Sequence, residues 1–275
     1  MCVTFTILGS GSSGNCAYIE AGETRLLIDA GFSAKQIRER LASIGRTPES
    51  LSAILITHEH IDHIRGLGTL CGKAGTSIYC NRLTRECIDR QFPKNGLRYN
   101  LFETGNTFAL GETEIQTFSV PHDAMDPVGF LIRTAAGNIG FLTDLGHATK
   151  LILERVRTSN LLVLEANHDL KLLQDDVRRP WSTKQRILSR HGHLSNDAAA
   201  AVAAEVASAE LGRIYLGHLS RDCNRPELAY KVVSQRLMAV GANHIRVENT
   251  SQDAPCPTVD LSTLARQPVL PLSPV

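Results

Sequence analysis

Residues 58–63 read HEHIDH and are the segment that most restricts what this chain can fold into. Three histidines and two carboxylates stand in six consecutive positions, directly after an apolar run that is typical of a buried strand. His58 and His60 are two residues apart, so on extended backbone their side chains face the same way. Asp62 and His63 follow where the chain turns into a predicted helix. A solvated charged turn is the alternative interpretation, but such spacing of ligand-type residues rarely arises by chance.

Imidazole and carboxylate groups at this spacing predict binding of a borderline divalent metal such as zinc, manganese or iron. Asp62 and His63 leave the turn in a different direction from the two earlier histidines. They can therefore hardly bind the same ion as His58 and His60. The segment thus predicts half of a site with two ions side by side, and such a site needs further ligands from elsewhere in the chain.

Three later residues of ligand type also stand directly after apolar, β-rich runs. His122 follows IQTFSVP, Asp144 follows NIGFLT, and His218 follows RIYLG. The ends of strands that lead into loops are where α/β folds collect their polar chemistry. Because all three residues repeat the placement of HEHIDH, we expect them to complete the same site.

The order of predicted elements indicates an α/β protein, an αββα sandwich of two mixed β-sheets with helices outside. Two β-rich blocks interleaved with helices support this prediction, and residues 97–143 alone hold about five strand signals without a helical period. The chain has 275 residues, 43% of them hydrophobic, which suits one large domain. We expect a single domain over residues 1–250 and a flexible, proline-rich tail over residues 251–275.

Charge and cysteine content set weaker bounds on function. A formal net charge of +1 gives no whole-molecule reason to expect nucleic acid or an anionic membrane as partner. The N-terminus lacks a signal-peptide pattern, and no apolar stretch is long enough to span a bilayer. Seven scattered cysteines without a CxxC pair indicate reduced, mostly buried thiols. We therefore expect a cytoplasmic protein with no membrane partner.

These motifs resemble those of the metallo-β-lactamase superfamily. HEHIDH matches the HxHxDH signature, LLIDAG contains the upstream aspartate motif at Asp29, and the three strand-end residues fall in order at the later motifs. The resemblance covers about residues 3–248 and implies an αββα fold with the metals at one edge between the sheets. It implies seven ligands to two ions: His58, His60 and His122 for the first, Asp62, His63 and His218 for the second, and Asp144 bridging both. Asp29 would fix the loop and the histidine rings through hydrogen bonds, although a turn cap is the alternative.

Four further segments resemble the YycJ branch of this superfamily, also called WalJ or VicX, which is linked to exonuclease activity on DNA. They are LGSGSSGNC, VLEANHD, HGHLSN and LGHLSRDCN. The chain has no room for the inserted domain of RNase J and the mRNA cleavage factors, and it lacks the long flexible arm expected of RNase Z. The branch resemblance therefore implies a DNA exonuclease that acts from the 5′ end.

Two divalent ions, Zn²⁺ or Mn²⁺, that share Asp144 and a water would lower the pKa of that water and present a bridging hydroxide to a phosphodiester. The ligand types do not choose between the two metals. Asp62 and His193 are the predicted catalytic residues, with His193 as the proton donor to the leaving oxygen. A helix cap or a support for a ligand is the alternative role for His193. His168 follows a predicted strand, and we expect it to line the same edge.

The segment GSGSSGN, residues 9–15, is a candidate phosphate-binding loop. Its backbone amides and the side chains of Ser12, Ser13 and Asn15 would contact the substrate or support the ligands. A plain hairpin turn is the alternative interpretation of this loop.

Residues 178–190 form a predicted basic strip that includes the only tryptophan of the chain. A basic strip with an aromatic residue suits a nucleic-acid backbone and a stacked terminal base. The predicted contacts are Arg178, Arg179, Trp181 and Lys184, and the strip continues with Arg186 and Arg190. The alternative is an exposed helix face with ordinary salt bridges.

Three functions compete. The first is a metal-dependent phosphodiesterase, a 5′ exonuclease with nucleic acid as substrate and DNA favoured over RNA. The second is a small-molecule hydrolase that attacks a thioester, a lactone or a cyclic phosphate on the same metals. The third is a non-catalytic, metal-stabilised binding module. The complete set of seven predicted ligands argues against the third, while the basic strip and the glycine-serine loop favour a polyanion over a small molecule.

Overall fold

Two seven-stranded β-sheets form the centre of the computed structural model, which describes residues 2–93 and 96–266. The first sheet contains, in spatial order, β14 (Val259–Asp260), β1 (Val3–Gly9), β2 (Cys16–Ala21), β3 (Thr24–Ile28), β4 (Ala53–Leu55), β5 (Ser77–Cys80) and β6 (Tyr99–Leu101). The second contains β13 (Arg246–Asn249), β12 (Arg213–Gly217), β11 (Leu161–Glu165), β10 (Gly137–Leu142), β9 (Val128–Thr134), β8 (Thr113–Ser119) and β7 (Thr107–Leu110). Both sheets are mixed, because β3 to β6 and β10 to β13 run parallel while the other pairs are antiparallel.

Helices connect these strands along the described chain. They are α1 (Ala34–Ser43), α2 (Ile61–Ile64), α3 (Leu67–Ala74), α4 (Arg82–Gln91), α5 (Lys150–Val156), α6 (Leu170–Asp175), α7 (Trp181–Leu188), α8 (Asn196–Glu205) and α9 (Pro226–Ala239), with short 3₁₀ helices at Pro48–Ser50 and Leu261–Arg266. A capping box begins α1: Ser33 Oγ accepts from the backbone N–H of Gln36, whose side chain accepts from the N–H of Ser33.

Three apolar layers hold the sandwich together. The layer between the sheets combines Phe5 and Ile19 of the first sheet with Phe130 and Tyr215 of the second. Helices α1, α3 and α4 cover the outer face of the first sheet, and α5, α8 and α9 cover the outer face of the second. Each fully buried aliphatic or aromatic side chain contributes about 1.5–3 kcal/mol to folding. The predicted αββα sandwich is therefore confirmed.

The predicted single helix after HEHIDH is wrong, because the structure divides it into α2 and α3 at Gly66. Gly66 donates its N–H to the carbonyl oxygen of Ala30 at 2.8 Å. A Cβ at this position would lie 2.6 Å from the carbonyl oxygen of Phe32. The break thus lets the chain after HEHIDH pass close to the loop that follows β3.

The C-terminal segment also differs from the prediction. Residues 251–266 are not a flexible tail, because β14 pairs antiparallel with β1 and places Val259 opposite Phe5. Val259, Leu261 and Leu264 are buried in the layer between the sheets. The prolines of this segment obscure its short apolar pattern in the sequence. Because these residues are paired and buried, the packed chain extends past the predicted boundary at residue 250. Residues 267–275 of the predicted tail lie outside the described residues.

No helix in the described part of the chain is both long and apolar enough to cross a membrane. The seven cysteines are free thiols, and four of them are buried, namely Cys16, Cys71, Cys80 and Cys223. This agrees with the predicted absence of a disulfide framework.

We expect Leu261→Ala to lower the free energy of unfolding by about 2–5 kcal/mol, because it empties a buried position. Leu261 is 1% exposed. Leu151→Ala is the matched control: it makes the same truncation on α5, where the residue is 60% exposed, and should cost less than about 0.5 kcal/mol. Guanidinium unfolding measures both values. Equal losses in the two variants would mean that residues 251–266 do not belong to the core.

Candidate metal centre

The candidate ligands follow the carboxyl ends of strands from both sheets. The candidate ligands are His58, His60, Asp62 and His63 after β4, His122 after β8, Asp144 after β10, and His218 after β12. The loops after these strands bring the side chains to one edge of the sandwich, between the two sheets. The predicted juxtaposition of all seven side chains is therefore present in the structure.

The seven side chains fall into two groups of three with Asp144 adjacent to both. The first group is His58, His60 and His122, and the second is Asp62, His63 and His218; in each group the candidate ligand atoms lie within 4.8 Å of one another. Asp144 forms a further group of this kind with His58 and His63. This grouping has the pattern of two neighbouring cation sites that share one carboxylate.

Hydrogen bonds fix which nitrogen of each imidazole faces the centre. Nδ1 of His63 donates to Asp29 at 2.7 Å, and this leaves Nε2 at 3.2 Å from Asp144 Oδ2. Nδ1 of His122 donates to the carbonyl oxygen of Gly192 at 3.0 Å. Thr57 Oγ1 donates to Asp29, so it accepts from Nδ1 of His58 at 3.0 Å. In all three cases Nε2 is left for a cation, as in many metal sites with outer hydrogen-bond partners.

Asp29 is buried completely and anchors this arrangement. Its carboxylate accepts from the backbone N–H of Thr57 at 2.9 Å, from the Thr57 hydroxyl and from His63. Asp29 is therefore not a simple turn cap, because its partners belong to the segment that carries the candidate ligands. This contact pattern supports the predicted supporting role of Asp29.

Three candidate site residues adopt strained backbone. Asp29, Asp144 and His218 are the described non-glycine residues with positive φ, at 60°, 56° and 55°. The left-handed conformation costs a non-glycine residue about 1–2 kcal/mol. Each of them directly follows β3, β10 or β12, with at most one residue between. The strain turns these side chains out of the strand direction and toward the shared edge.

The donor atoms fit divalent cations. His58 Nε2 and Asp144 Oδ2 are buried and have no hydrogen-bond partner in the protein, and such an unpaired buried group costs about 1–3 kcal/mol. Burial, and then the charge of His63, lower the pKa of His58 well below its usual value, so this ring is neutral and able to donate a lone pair. Nitrogen and carboxylate oxygen together are the ligand set of zinc and manganese sites.

Buried carboxylates also leave an excess of negative charge beside the histidines. Burial alone would lower the pKa of His63 and His218, but nearby carboxylates, above all Asp29 for His63 and Asp144 for His218, hold it well above its usual value. Without metal, these carboxylates therefore favour the protonated form of both rings. A divalent cation would replace these protons, so metal affinity should fall as the pH falls.

The glycine-serine loop lies directly against the second ligand group. Asn15 Nδ2 is 3.1 Å from His63 Nε2 and 3.5 Å from Asp62 Oδ2. Asn15 Oδ1 accepts from the hydroxyl of Ser10 at 2.9 Å, and Ser10 Oγ in turn accepts from the N–H of His218 at 2.8 Å. Asn15 and Ser10 thus support ligands, and Ser10 is a contact that the sequence did not predict.

Ser12 and Ser13, the two predicted substrate contacts of this loop, are exposed. Ser12 lines the cavity described below. The backbone N–H of Ser13 donates to the side chain of Gln252 at 3.0 Å, and its carbonyl oxygen accepts from Arg65. The Ser13 amide is therefore already engaged, while Ser12 faces the cavity.

Glu165 joins two predicted site residues and was missed in the sequence. It is fully buried at the end of β11 and accepts from Nδ1 of His193 at 2.7 Å and from Nδ1 of His218 at 2.9 Å. The backbone N–H groups of Leu145 and Leu194 also donate to it. The signal was available, because Glu165 ends an apolar strand in the same way as the residues that were found.

His168 lines a cavity of about 210 Å³ that opens beside the metal centre. The cavity is lined by Ser12, His60, Asp62, Asp144, Asn167, His168, Leu173, Arg179, Thr183, Arg186, Ile187, His193, His218, Ser220 and Cys223. His168 and His193 therefore both lie at the edge where the sequence predicted them.

The basic strip is not a free cationic surface. Arg178 and Arg179 both pair with Asp176 and Asp222, and Arg186 pairs with Asp123. Ordinary salt bridges, as in the predicted alternative, therefore engage these arginines, although only Arg186 lies on a helix face and Arg178 and Arg179 precede α7. Arg179 and Arg186 nevertheless line the cavity.

Lys184 differs most from its predicted role as a nucleic-acid contact. It is buried, and its ammonium group donates to the carbonyl oxygen of Gln174 at 2.6 Å. Lys184 lies on the inward side of α7, where it cannot reach a polyanion on the surface. Trp181, at the start of α7, is 62% exposed and remains available for stacking.

Comparison with known proteins agrees with this geometry. Residues 24–219 match the sequence family described as a beta-lactamase superfamily domain. The chain is 38% identical to exodeoxyribonuclease WalJ of Streptococcus pneumoniae serotype 2 (strain D39 / NCTC 7466) over 94% of this chain and 97% of that protein. It is 37% identical to exodeoxyribonuclease YycJ of Bacillus anthracis over 86% of this chain and 90% of that one. The metallo-beta-lactamase fold protein YhfI of Bacillus subtilis has the same fold, with a TM-score of 0.71, 16% identity, and 94% and 99% of the two chains covered.

We expect Gly31→Ala to weaken binding of Zn²⁺ more than about tenfold, in the range found when the supports of metal ligands are lost. A Cβ on Gly31 would overlap the carbonyl oxygen of Asp62, which accepts from the N–H of Asn15 at 2.8 Å. Gly68→Ala on α3 is the matched control, since its Cβ would meet only Phe92 at an ordinary 3.6 Å. Competition with a chromophoric chelator measures both affinities. Equal affinities would show that this close approach does not hold the Asp62 turn in place.

Proposed function

The chain belongs to the beta-lactamase superfamily as a metal-dependent hydrolase, and on this premise we propose that it is a two-metal phosphodiesterase that degrades DNA from the 5′ end. The observation that carries the proposal is the pair of ligand groups that adjoin at Asp144. Near-full-length similarity to two exodeoxyribonucleases supports DNA as the polymer. Zn²⁺ and Mn²⁺ both suit the nitrogen and oxygen donors.

The roles of the chain's own residues follow from their contacts. His58, His60 and His122 would hold one ion, and a second group would hold the other, namely Asp62, His63 and His218, with Asp144 shared. When bound, the two ions supply a hydroxide nucleophile at neutral pH and neutralise charge that develops on the phosphate. Asp29 keeps the ring of His63 in the orientation that this requires, through its hydrogen bond to Nδ1.

His193 is suited to protonate the leaving oxygen. Its Nδ1 donates to Glu165, so the proton that it can transfer is the one on Nε2. Burial alone would lower the pKa of His193, but the charge of Glu165 and the hydrogen bond to it raise that pKa above its usual value. The contact with Glu165 therefore favours the protonated ring, which is the form that a general acid needs. Its position in the lining of the cavity brings it next to Asp144 and His218.

A small-molecule hydrolase is the second candidate, and the paired arginines favour it. Arg178, Arg179 and Arg186 are all engaged by carboxylates, so these three arginines of the basic strip offer little free positive charge to a long polyanion. The similarity to exodeoxyribonucleases over almost the whole chain outweighs this observation. We further propose the cytoplasm as the compartment, because free thiols are typical of reducing surroundings.

The deciding measurement is a panel of 5′-labelled single- and double-stranded DNA and RNA with Mn²⁺ or Zn²⁺. We expect release of nucleotides from DNA, faster than from RNA, with a rate that falls steeply as salt rises because phosphate contacts release counterions. Asp62→Ala should be at least about 100-fold slower, because it removes a metal ligand and a predicted catalytic group.

Asp175→Ala, an exposed carboxylate on α6, is the matched control and should keep the parent rate. Digestion of DNA by Asp62→Ala at the parent rate would contradict the mechanism. Hydrolysis of a thioester or a lactone, with no nucleotide released from any polymer, would instead support the hypothesis of a small-molecule hydrolase.

Metal content tests the two-ion arrangement separately. After loading with Zn²⁺ and removal of excess metal, we expect the parent to hold two ions per chain by mass spectrometry of the elements. The double variants His58→Ala/His60→Ala and His63→Ala/His218→Ala should each hold one, because each empties one ligand group. A parent that holds a single ion at saturation would rule out the two-metal proposal.

A further inference from the structure

Part of the lining of the cavity beside the metal centre consists of residues that are not candidate ligands. Six of them, together called the side pocket, are His168, Leu173, Arg179, Ile187, Ser220 and Cys223. It is continuous with the lining residues Asp144 and His218, so a molecule bound at the metals can extend into it. Nothing in the roles assigned above uses the side pocket.

His168 is the unusual member of the side pocket. It is 1% exposed, and neither of its ring nitrogens has a hydrogen-bond partner in the protein. Among the described residues that line the cavity, buried atoms without a partner belong to Asp144 and His168 alone. The Asp144 atom fits a cation, as argued above. The His168 nitrogens carry the same kind of cost, about 1–3 kcal/mol for each unpaired group, and His168 is not among the candidate metal ligands.

The backbone holds His168 rigidly in this position. Its carbonyl oxygen accepts from the N–H of Asn196 at 2.9 Å, and a β-bridge joins it to Ser195. Burial, offset only in part by Glu165, lowers the pKa of the imidazole to about 4. The ring is therefore neutral at working pH and offers one N–H donor and one nitrogen acceptor.

Charge in the side pocket is balanced. Arg179 pairs with Asp176 and Asp222, and Arg178 pairs with the same two carboxylates, so two guanidinium groups face two carboxylates. A terminal phosphate dianion would gain little from Arg179, whose guanidinium is already engaged by these two carboxylates. Leu173, which is fully buried, and the half-buried Ile187 add apolar walls. The chemistry of the pocket thus suits a neutral, flat, partly polar group.

We propose that the side pocket binds the terminal nucleoside of the strand, with His168 as a hydrogen-bond partner of its base, while the phosphodiester to be cut lies at the metals. This inference rests on the proposed nuclease function. The Watson–Crick edge of every base offers both a donor and an acceptor, so His168 serves all four bases without strong sequence preference. The pocket recognises the end of a strand by its base and sugar and does not require a terminal phosphate.

The test uses single-stranded DNA with an intact or an abasic terminal nucleoside, each with a terminal hydroxyl or a terminal phosphate. Bis(4-nitrophenyl) phosphate serves as a small diester without a nucleoside. For the parent, kcat/KM on the abasic end should be about tenfold below that on the intact end, the loss expected for one or two hydrogen bonds and the base contacts. A terminal phosphate should change kcat/KM much less than the base does.

His168→Leu should lower kcat/KM on the intact end about tenfold relative to the small diester, mainly through KM, and should add little on the abasic end. His168→Gln should recover most of the loss, because its amide also offers a donor and an acceptor. A merely structural role would instead slow all substrates alike and would not depend on the terminal base.

Parent rates that are equal on intact and abasic ends overturn the inference, even if His168→Leu does not fold. A terminal phosphate that raises the rate more than the base does overturns it as well, in favour of a phosphate pocket. Rapid DNA digestion by a folded His168→Leu variant leaves the nuclease proposal standing and removes only this inference. Cleavage of the small diester with no digestion of any oligonucleotide removes both.

Discussion

The site depends on one buried carboxylate. Asp29 has no exposed surface, and it accepts hydrogen bonds from both the backbone and the hydroxyl of Thr57 and from His63. These bonds join the end of β3 to the end of β4, and they fix the path of the loop that contains HEHIDH. Removing His63 would leave the buried carboxylate without its ion-pair partner, which costs about 3–5 kcal/mol. The orientation of the ligands and the stability of this sheet edge therefore rest on the same interaction.

The fold followed from patterns that are local in the sequence. Apolar runs predict the strands, and the placement of ligand-type residues at strand ends predicts that HEHIDH and three distant side chains lie together, as they do. Their action as ligands stays a prediction. Glu165 satisfies the same rule, but the sequence does not single it out, because a glutamate that ends an apolar strand matches none of the motifs. The helix break at Gly66 was missed because a close approach between loops leaves no mark on helical periodicity.

The basic strip shows that composition alone does not predict the free charge of a protein surface. A count of arginines and lysines over residues 178–190 predicts positive charge, but charge at a surface depends on partners that lie far away in the sequence. Asp123 neutralises Arg186 from a distance of 63 residues, and Asp222 neutralises Arg179 from 43. Lys184 carries its charge inward to a carbonyl oxygen. Electrostatic expectations for this face therefore required the tertiary structure.

The attachment of the glycine-serine loop to the C-terminal segment has a consequence for biosynthesis. The N–H of Ser10 donates to the carbonyl oxygen of Ser251 at 3.1 Å, and the N–H of Ser13 donates to Gln252. Chains emerge from the ribosome N-terminus first and fold as they appear. The loop that supports Asp62 and His218 is synthesised long before Ser251 and Gln252, so it acquires these two anchors only after most of both sheets has been made. A ribosome-bound chain therefore carries an unfinished candidate metal centre until Ser251 and Gln252 have emerged.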